Sequence, residues 1–293
     1  MKGKRLLKDR MVTVVIWLVI AFTVMATLHF VRWIFVADKF IVPSESMSPT
    51  LVPGDRILVN KLLFGARIYR KFDFSEHAPL ESWRMRGLCD IAPDDVIVFN
   101  YPLGYDDWDK IEFKINYVYA KRVIGVPGDT VLIVDGFYEN NNYEGIFGVA
   151  DSQERLAYTQ DSVLEKRSIL KTFAHSSGWT IKNMGPLYVP KQGDVITMGE
   201  KEFDRYRLVI EYETGGKILL TTDGVYLNES KQTEYTFCDN YYFVGGDNVF
   251  NSRDSRYIGF VPEEFIVGIA TRVLYSRDKQ TNRINWKRVW LKI

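Results

Sequence analysis

Three short segments hold the residues whose types and spacing suit chemistry. Ser46 lies in Phe40-Ile41-Val42-Pro43-Ser44-Glu45-Ser46-Met47-Ser48-Pro49-Thr50-Leu51. Pro43 and Pro49 pin that run to a stiff, non-helical path. A small hydroxyl held there can present its oxygen to a bound molecule. Lys121 lies in Tyr119-Ala120-Lys121-Arg122-Val123-Ile124-Gly125-Val126-Pro127-Gly128-Asp129. Neighbours in a strand point to opposite faces, so Lys121 and Arg122 are not expected to face the core together. Tyr119 and Val123 share the face of Lys121, and partial burial among them lowers an amine's affinity for its proton. A lysine that is neutral near pH ~7–8 can take a proton from a serine. The third segment, Gly245 to Pro262, is a Gly-led loop dense in Asn, Asp and Ser, with Asp254 and Arg256 two residues apart. Such a loop can bond its own backbone and brace a neighbouring group. Taken singly, the three have ordinary readings: a linker, a solvated strand lysine and a turn.

The elements that must position them begin with a membrane segment. Met11 to Leu28 carries no charged residue, and the apolar character runs on past His29 and Arg32 to Val36. As a helix this run is long enough for a hydrocarbon layer of ~30 Å. Lys2, Lys4, Arg5, Lys8 and Arg10 precede it, which predicts a cytoplasmic N-terminus and a domain across the membrane. Arg32 and Trp33 suit the far interface. The apolar run is longer than that of a cleaved signal peptide, and no clean small-x-small site follows it, so an uncleaved anchor is expected.

Beyond the anchor, short runs rich in β-branched and aromatic residues predict strands. They are Arg56 to Val59, Val96 to Phe99, Tyr117 to Ile124, Thr130 to Val134, Val195 to Met198, Arg207 to Tyr212, Lys217 to Thr222, Tyr241 to Val244 and Phe265 to Tyr275. Asp135-Gly136, Asp223-Gly224 and Thr214-Gly215-Gly216 read as hairpin turns, and Pro53-Gly54-Asp55 and Pro127-Gly128-Asp129 as tight turns. The expected fold is mainly β: a single N-terminal transmembrane helix, then an antiparallel β-barrel or set of coiled sheets. Within the polar stretch 140–190, Ser162 and Glu165 form a capping-box pattern that predicts a helix through about Ala174. That stretch reads as an inserted cap region. The expected organisation is a tail at 1–10, an anchor at 11–36, a β domain at 37–139 and 191–293, and the cap at 140–190. Arg283 to Ile293 alternates bulky apolar and basic residues, which suits either a lipid interface or a last packed element.

Composition narrows the function. The net charge is +1 over 293 residues, which gives no field for a nucleic-acid partner. Two cysteines, Cys89 and Cys238, exclude a disulfide-dense scaffold and a multi-Cys zinc site, leaving one disulfide open. His29, His77 and His175 are too scattered to suggest a metal site.

Together the three segments resemble the type I signal peptidases. Pro43 to Leu51 with Gly54-Asp55 is similar to the family's nucleophile segment. Lys121 to Asp129 is similar to its base segment, and Gly246 to Pro262 to its third conserved box. Asp94-Asp95-Val96-Ile97-Val98-Phe99 is similar to the strand between. The boxes fall in family order behind an N-terminal anchor. The resemblance implies a Ser/Lys serine protease with no cofactor, acting on secretory pre-proteins from the bacterial inner membrane, its catalytic domain outside. It implies Ser46 as nucleophile, Lys121 as general base, Ser44 as an oxyanion hydroxyl and Ser252 as the residue orienting Lys121. Asp254 and Arg256 would support the third box. Phe40, Val42, Met47, Leu51, Ile57 and Tyr119 would line shallow pockets for small side chains. Where the family commonly has Arg-Asp after Gly-Asp-Asn, this chain has Val249-Phe250. A Ser–His–Asp enzyme fits poorly, because no histidine accompanies a Gly-x-Ser-x-Gly elbow. A Ser-x-x-Lys enzyme fits no better, since Pro49 stands three residues after Ser46. The self-cleaving repressors share the chemistry but lack an anchor. A non-enzymatic anchored β domain is the remaining alternative.

Overall fold

A computed structural model describes residues 2–71, 75, 80–104, 109–278 and 280–293. His77 and the Trp33 side chain lie outside what it describes. The chain opens with the Lys2–Val31 helix. Its Arg10–Val31 portion has the length and apolar character to cross a membrane, and none of it is buried against the rest of the described chain. Twenty-two residues span roughly 33 Å at 1.5 Å each. The hydroxyls of Thr23 and Thr27 donate to the carbonyls of Val19 and Thr23, each at 2.8 Å, so neither is left unsatisfied where water is absent. A π-helical turn, Arg32–Val36, then leads without a linker into the Ala37–Ile41 strand.

The domain is mainly β, as its sequence predicts. Its principal sheet runs in the spatial order Ala37–Ile41, Asp55–Asn60, Ile266–Ser276, Val96–Asn100, Val118–Gly125, Tyr241–Gly245, Val261–Pro262, and Leu291–Lys292 pairs with the long Ile266–Ser276 strand. Each of its strand pairings among the described residues is antiparallel. The register slips between Ala270 and Arg272, between Val273 and Tyr275, and between Phe243 and Val244. Such bulges bend a sheet and strengthen its twist. Close packing also needs glycine: a Cβ on Gly268 would lie 2.8 Å from the Asn60 carbonyl oxygen.

The curled sheet buries apolar side chains on both faces. One face holds a large aromatic core that includes Phe99, Val123, Phe243 and Phe265. The other holds a smaller cluster of Val42, Met47, Leu51, Ile57, Val59, Val96, Val98, Ala270 and Val273. A second sheet of three strands, Phe137–Asn140, Thr130–Val134 and Met184–Tyr188, packs alongside.

Several elements differ from the sequence reading. Arg207 to Tyr212 is not a strand but part of the Glu200–Thr214 helix. Tyr206, Val209 and Ile210 are its buried residues, which is helical spacing. Thr214-Gly215-Gly216 is accordingly no hairpin: Gly215 caps that helix at φ +64°. The capping box at Ser162 does not form. The helix there is Asp161–Lys166, preceded by Gln160 without a side-chain cap, and it stops well before Ala174. A helix the sequence reading missed, Ala150–Tyr158, precedes it. Both cysteines are free and exposed, so the disulfide left open is not made.

Candidate active site

The segment around Ser46 is a loop tied shut at its base. Val42 N–H donates to the Asp55 carbonyl at 2.9 Å, and Gly54 N–H donates to the Val42 carbonyl at 3.0 Å. Gly54 has φ +97°, and a Cβ there would fall 2.0 Å from the Arg277 carbonyl oxygen, so only glycine fits. Inside the loop, Leu51 N–H reaches the Met47 carbonyl at 2.9 Å. Met47 and Leu51 are 1% and 0% exposed. These two apolar anchors fix the turn that carries Ser46 between them and the strand.

Lys121 is 1% exposed. It pairs with Ile97 across the sheet, and its Nζ lies 2.7 Å from Ser46 Oγ and 3.1 Å from the Ala120 carbonyl. Burial pulls the amine down from its ordinary 10.5 to about 8, against the opposing charges of Asp254 and Asp247. Arg122 is buried too, contrary to expectation, because both faces of the sheet are covered. Its guanidinium grips Asp247 at 2.7 and 2.8 Å and reaches the Asp94 carboxylate at 3.1 Å. Asp247 in turn accepts from Thr50 Oγ1. One carboxylate thus joins the strand of Lys121 and Arg122 to the loop that carries Ser46.

The third segment closes over this junction. Asn248 N–H donates to the Ser46 carbonyl at 3.1 Å, and Asn248 Nδ2 donates to the Glu45 carbonyl at 3.2 Å. Asp254 and Arg256, both 0% exposed, form a two-bond ion pair at 2.8 Å. Burial raises a carboxyl, but here the Arg256 charge and its hydrogen bonds outweigh that and hold Asp254 below the usual range. Asp254 also accepts from Gly246 N–H at 2.8 Å. A Cβ on Gly246 would meet Ser252 Oγ at 2.1 Å and the Ser46 carbonyl oxygen at 2.6 Å, so this glycine admits the loop beside the serine.

Of the sequence-derived residues, Ser44 stands beside Ser46 with the two hydroxyls 3.4 Å apart. The expected bond from Ser252 to Lys121 is not made; the buried Ser252 hydroxyl lies instead by Asp254, whose carboxyl it helps hold down. Val249 and Phe250 fill the places of the absent Arg-Asp in different ways. Val249 is buried and its carbonyl accepts from Arg256 at 2.9 Å, while the Arg167 guanidinium sits over the Phe250 ring at 5.7 Å. Phe40, Val42, Met47, Ile57 and Tyr119 do line a groove of about 320 Å³ that also holds Ser44, Ser46 and Lys121. Leu51 is not among its lining residues, being wholly in the core behind the loop. Reading the sequence missed the Asn116–Val118 stretch of the groove wall. It also missed Arg288, which donates to Asp55 at 2.9 and 2.5 Å and to the Thr50 carbonyl at 2.8 Å. Nothing in the basic C-terminal stretch singled Arg288 out.

An antiparallel sheet behind one apolar helix thus carries a groove of about 320 Å³ that holds Ser44, Ser46 and Lys121. The family model for signal peptidase, peptidase S26, matches residues 12–275, and the chain belongs to that family. It is 30% identical to a signal peptidase I of Pseudomonas aeruginosa, covering 87% of this chain and 71% of the relative. It is 31% identical to a signal peptidase I of Aquifex aeolicus, covering 87% of this chain and 82% of that one. A solved signal peptidase I from Enterococcus faecalis is 19% identical, covers 62% of this chain and 97% of its own, and superposes at a TM-score of 0.29, a likeness too slight to argue from. Members of the family are membrane-anchored peptidases that remove signal peptides from preproteins, and this chain is such a peptidase.

Proposed function

We propose that the peptidase works through Ser46 as nucleophile and Lys121 as general base, cutting after small-x-small sites. The observation that carries this reading is the 2.7 Å contact between Lys121 Nζ and Ser46 Oγ, with the amine brought down to about 8 by burial. In its neutral form Nζ accepts the serine proton as Oγ bonds to the scissile carbonyl carbon. The ammonium returns that proton to the departing amine, and water then frees the signal peptide from Ser46. Ser44 Oγ and the Ser46 N–H donate to the oxyanion. Asp254 and Arg256 act as positioning residues for the loop that holds the Ser46 carbonyl. Ser252, packed against Gly246 close to the Ser46 carbonyl, takes the orienting role toward Lys121. No cofactor is needed.

The groove fits this role. Its lining is apolar, through Phe40, Val42, Met47, Ile57 and Tyr119, and it is small. Ala or Gly before the cut, and a small residue two places further back, fit such walls. Residues 1–10 then form a cytoplasmic tail and 11–36 the anchor. The β domain of 37–139 and 191–293, with 140–190 as its cap, stands on the outer side of a bacterial inner membrane. The five basic residues before the anchor support that orientation. The partners are secretory pre-proteins and membrane lipid. The test is processing of a pre-protein by wild-type and Ser46→Ala protein. Loss of cleavage with a retained melting profile is expected, and cleavage by the alanine variant overturns the assignment.

A further inference from the structure

A peptidase that cuts within a longer chain must hold that chain on both sides of the cut. The groove accounts for one side only. It is walled by Phe40 to Pro43, which lie just past the end of the anchor at Val36. The membrane-inserted part of a substrate therefore comes from the groove's end of the site. The rest of the substrate has to leave past the other flank of the Ser46 loop.

That flank is an open cleft of about 1210 Å³, bordered by Ser48, Pro49 and Asn248 on the loop side. Asn248 is the residue whose N–H bonds the Ser46 carbonyl at 3.1 Å, and Ser48 is two residues beyond the serine. At ~3.3 Å per extended residue, a chain leaving Ser46 enters the cleft within its first few residues. The opposite wall is the Ala150–Tyr158 helix. Ser152, Gln153 and Leu156 bury one side of it. Asp151, Glu154, Arg155 and Tyr158, at helical spacing, stay exposed and line the cleft. Tyr158 is 82% exposed. Phe250, under the Arg167 guanidinium, completes an aromatic and mixed-charge surface.

We infer that this cleft is the binding site for the segment of the pre-protein that follows the cut, an extended peptide of the mature protein. The inference rests on the Ser46 and Lys121 reading and adds the exit path to it. Two acidic and two basic side chains facing one cleft give no net preference for charge. Such a surface accepts many sequences, while Tyr158 and Phe250 supply contact to any side chain.

The test uses the full-length protein in detergent and pairs of pre-proteins that differ only at the third to sixth residues after the cut, lysine in one and glutamate in the other. Asp151→Lys with Glu154→Lys leaves Arg155 and Arg167 in place and makes the cleft wholly basic. The expected result is a shift of roughly tenfold in the glutamate-to-lysine ratio of kcat/KM, with an unchanged rate on a short peptide ending one residue after the cut. An unchanged ratio overturns the proposal. A photoreactive residue at the fourth position after the cut should cross-link to Tyr158 in the Ser46→Ala protein, and cross-linking to Asn116–Val118 instead also overturns it. Neither result bears on whether Ser46 and Lys121 do the chemistry. That reading fails separately, if Ser46→Ala or Lys121→Arg cleaves.

Discussion

Arg288, near the C-terminus, holds the buried carboxylate of Asp55, 233 residues earlier, through bonds of 2.9 and 2.5 Å. The same guanidinium takes the Thr50 carbonyl at 2.8 Å, and Asp55 accepts the Val52 N–H at 2.9 Å. The last segment of the chain therefore braces the far end of the loop that carries Ser46. Arg288→Ala leaves a carboxylate that is 0% exposed without its cation, a loss of about 3–5 kcal/mol. Arg288 does not line the groove, so kcat should fall while KM holds. Steady-state kinetics and a melting curve on the same preparation check both, with Arg288→Lys falling between.

With Lys121 as the proposed general base, a pH dependence follows. Its amine would have to be neutral to accept a proton, and its folded value is about 8. Activity should therefore rise as pH climbs through that value. Lys121→Arg should be inactive at every pH, because a guanidinium stays charged.

Stability should respond to the same group. The unfolded chain holds the Lys121 proton up to about 10.5 and the folded chain only to about 8. Below the folded value the protein carries a penalty of about 3 kcal/mol, and stability is regained as pH rises between the two values. Lys121→Met should abolish cleavage yet melt higher at neutral pH, and the gain should shrink toward pH ~10. Asp254 has the opposite sign. Its carboxyl is held low by Arg256, so its contribution is complete above the ordinary carboxylate range and lost in acid. Asp254→Asn should remove that acid-sensitive part and cost about 3–5 kcal/mol, measured by denaturant unfolding across pH.

Specificity is checked on the substrate. Phe or Trp placed just before the cut should stop processing, because Met47 and Ile57, 1% exposed each, have no room to yield. Removing a methyl there should cost only about 1–3 kcal/mol in kcat/KM. Efficient cleavage after Trp would dismiss the groove assignment while leaving the dyad standing.

Much of the candidate site's geometry was legible because its parts are local. Pro43 to Leu51, Lys121 to Asp129 and Gly246 to Pro262 each carry their own turn chemistry, and the groove residues Phe40, Val42, Met47, Ile57 and Tyr119 lie within or beside them. What failed depended on tertiary context. Leu51 sits one turn behind the serine and was drawn into the core, where its carbon earns more than at a pocket wall. Arg207 to Tyr212 looks like a strand by its β-branched run, but Tyr206, Val209 and Ile210 bury at helical intervals, and that pattern won. Arg288 could not be found, since its partner Asp55 is remote in sequence and salt-bridge partners leave no local trace.

The Ala37–Ile41 strand begins on the residue after the anchor's last turn and is hydrogen-bonded at once to Asp55–Asn60. A domain joined this way has no flexible linker between it and the apolar helix. On the proposed reading, so short a junction would hold Ser46 near one height above the bilayer, as a depth gauge does. A cut site would then be chosen by elevation as well as by side chain. A flexible Gly/Ser insert between Val36 and Ala37 should blur that choice, so that a pre-protein with two acceptable sites a few residues apart is cut at both.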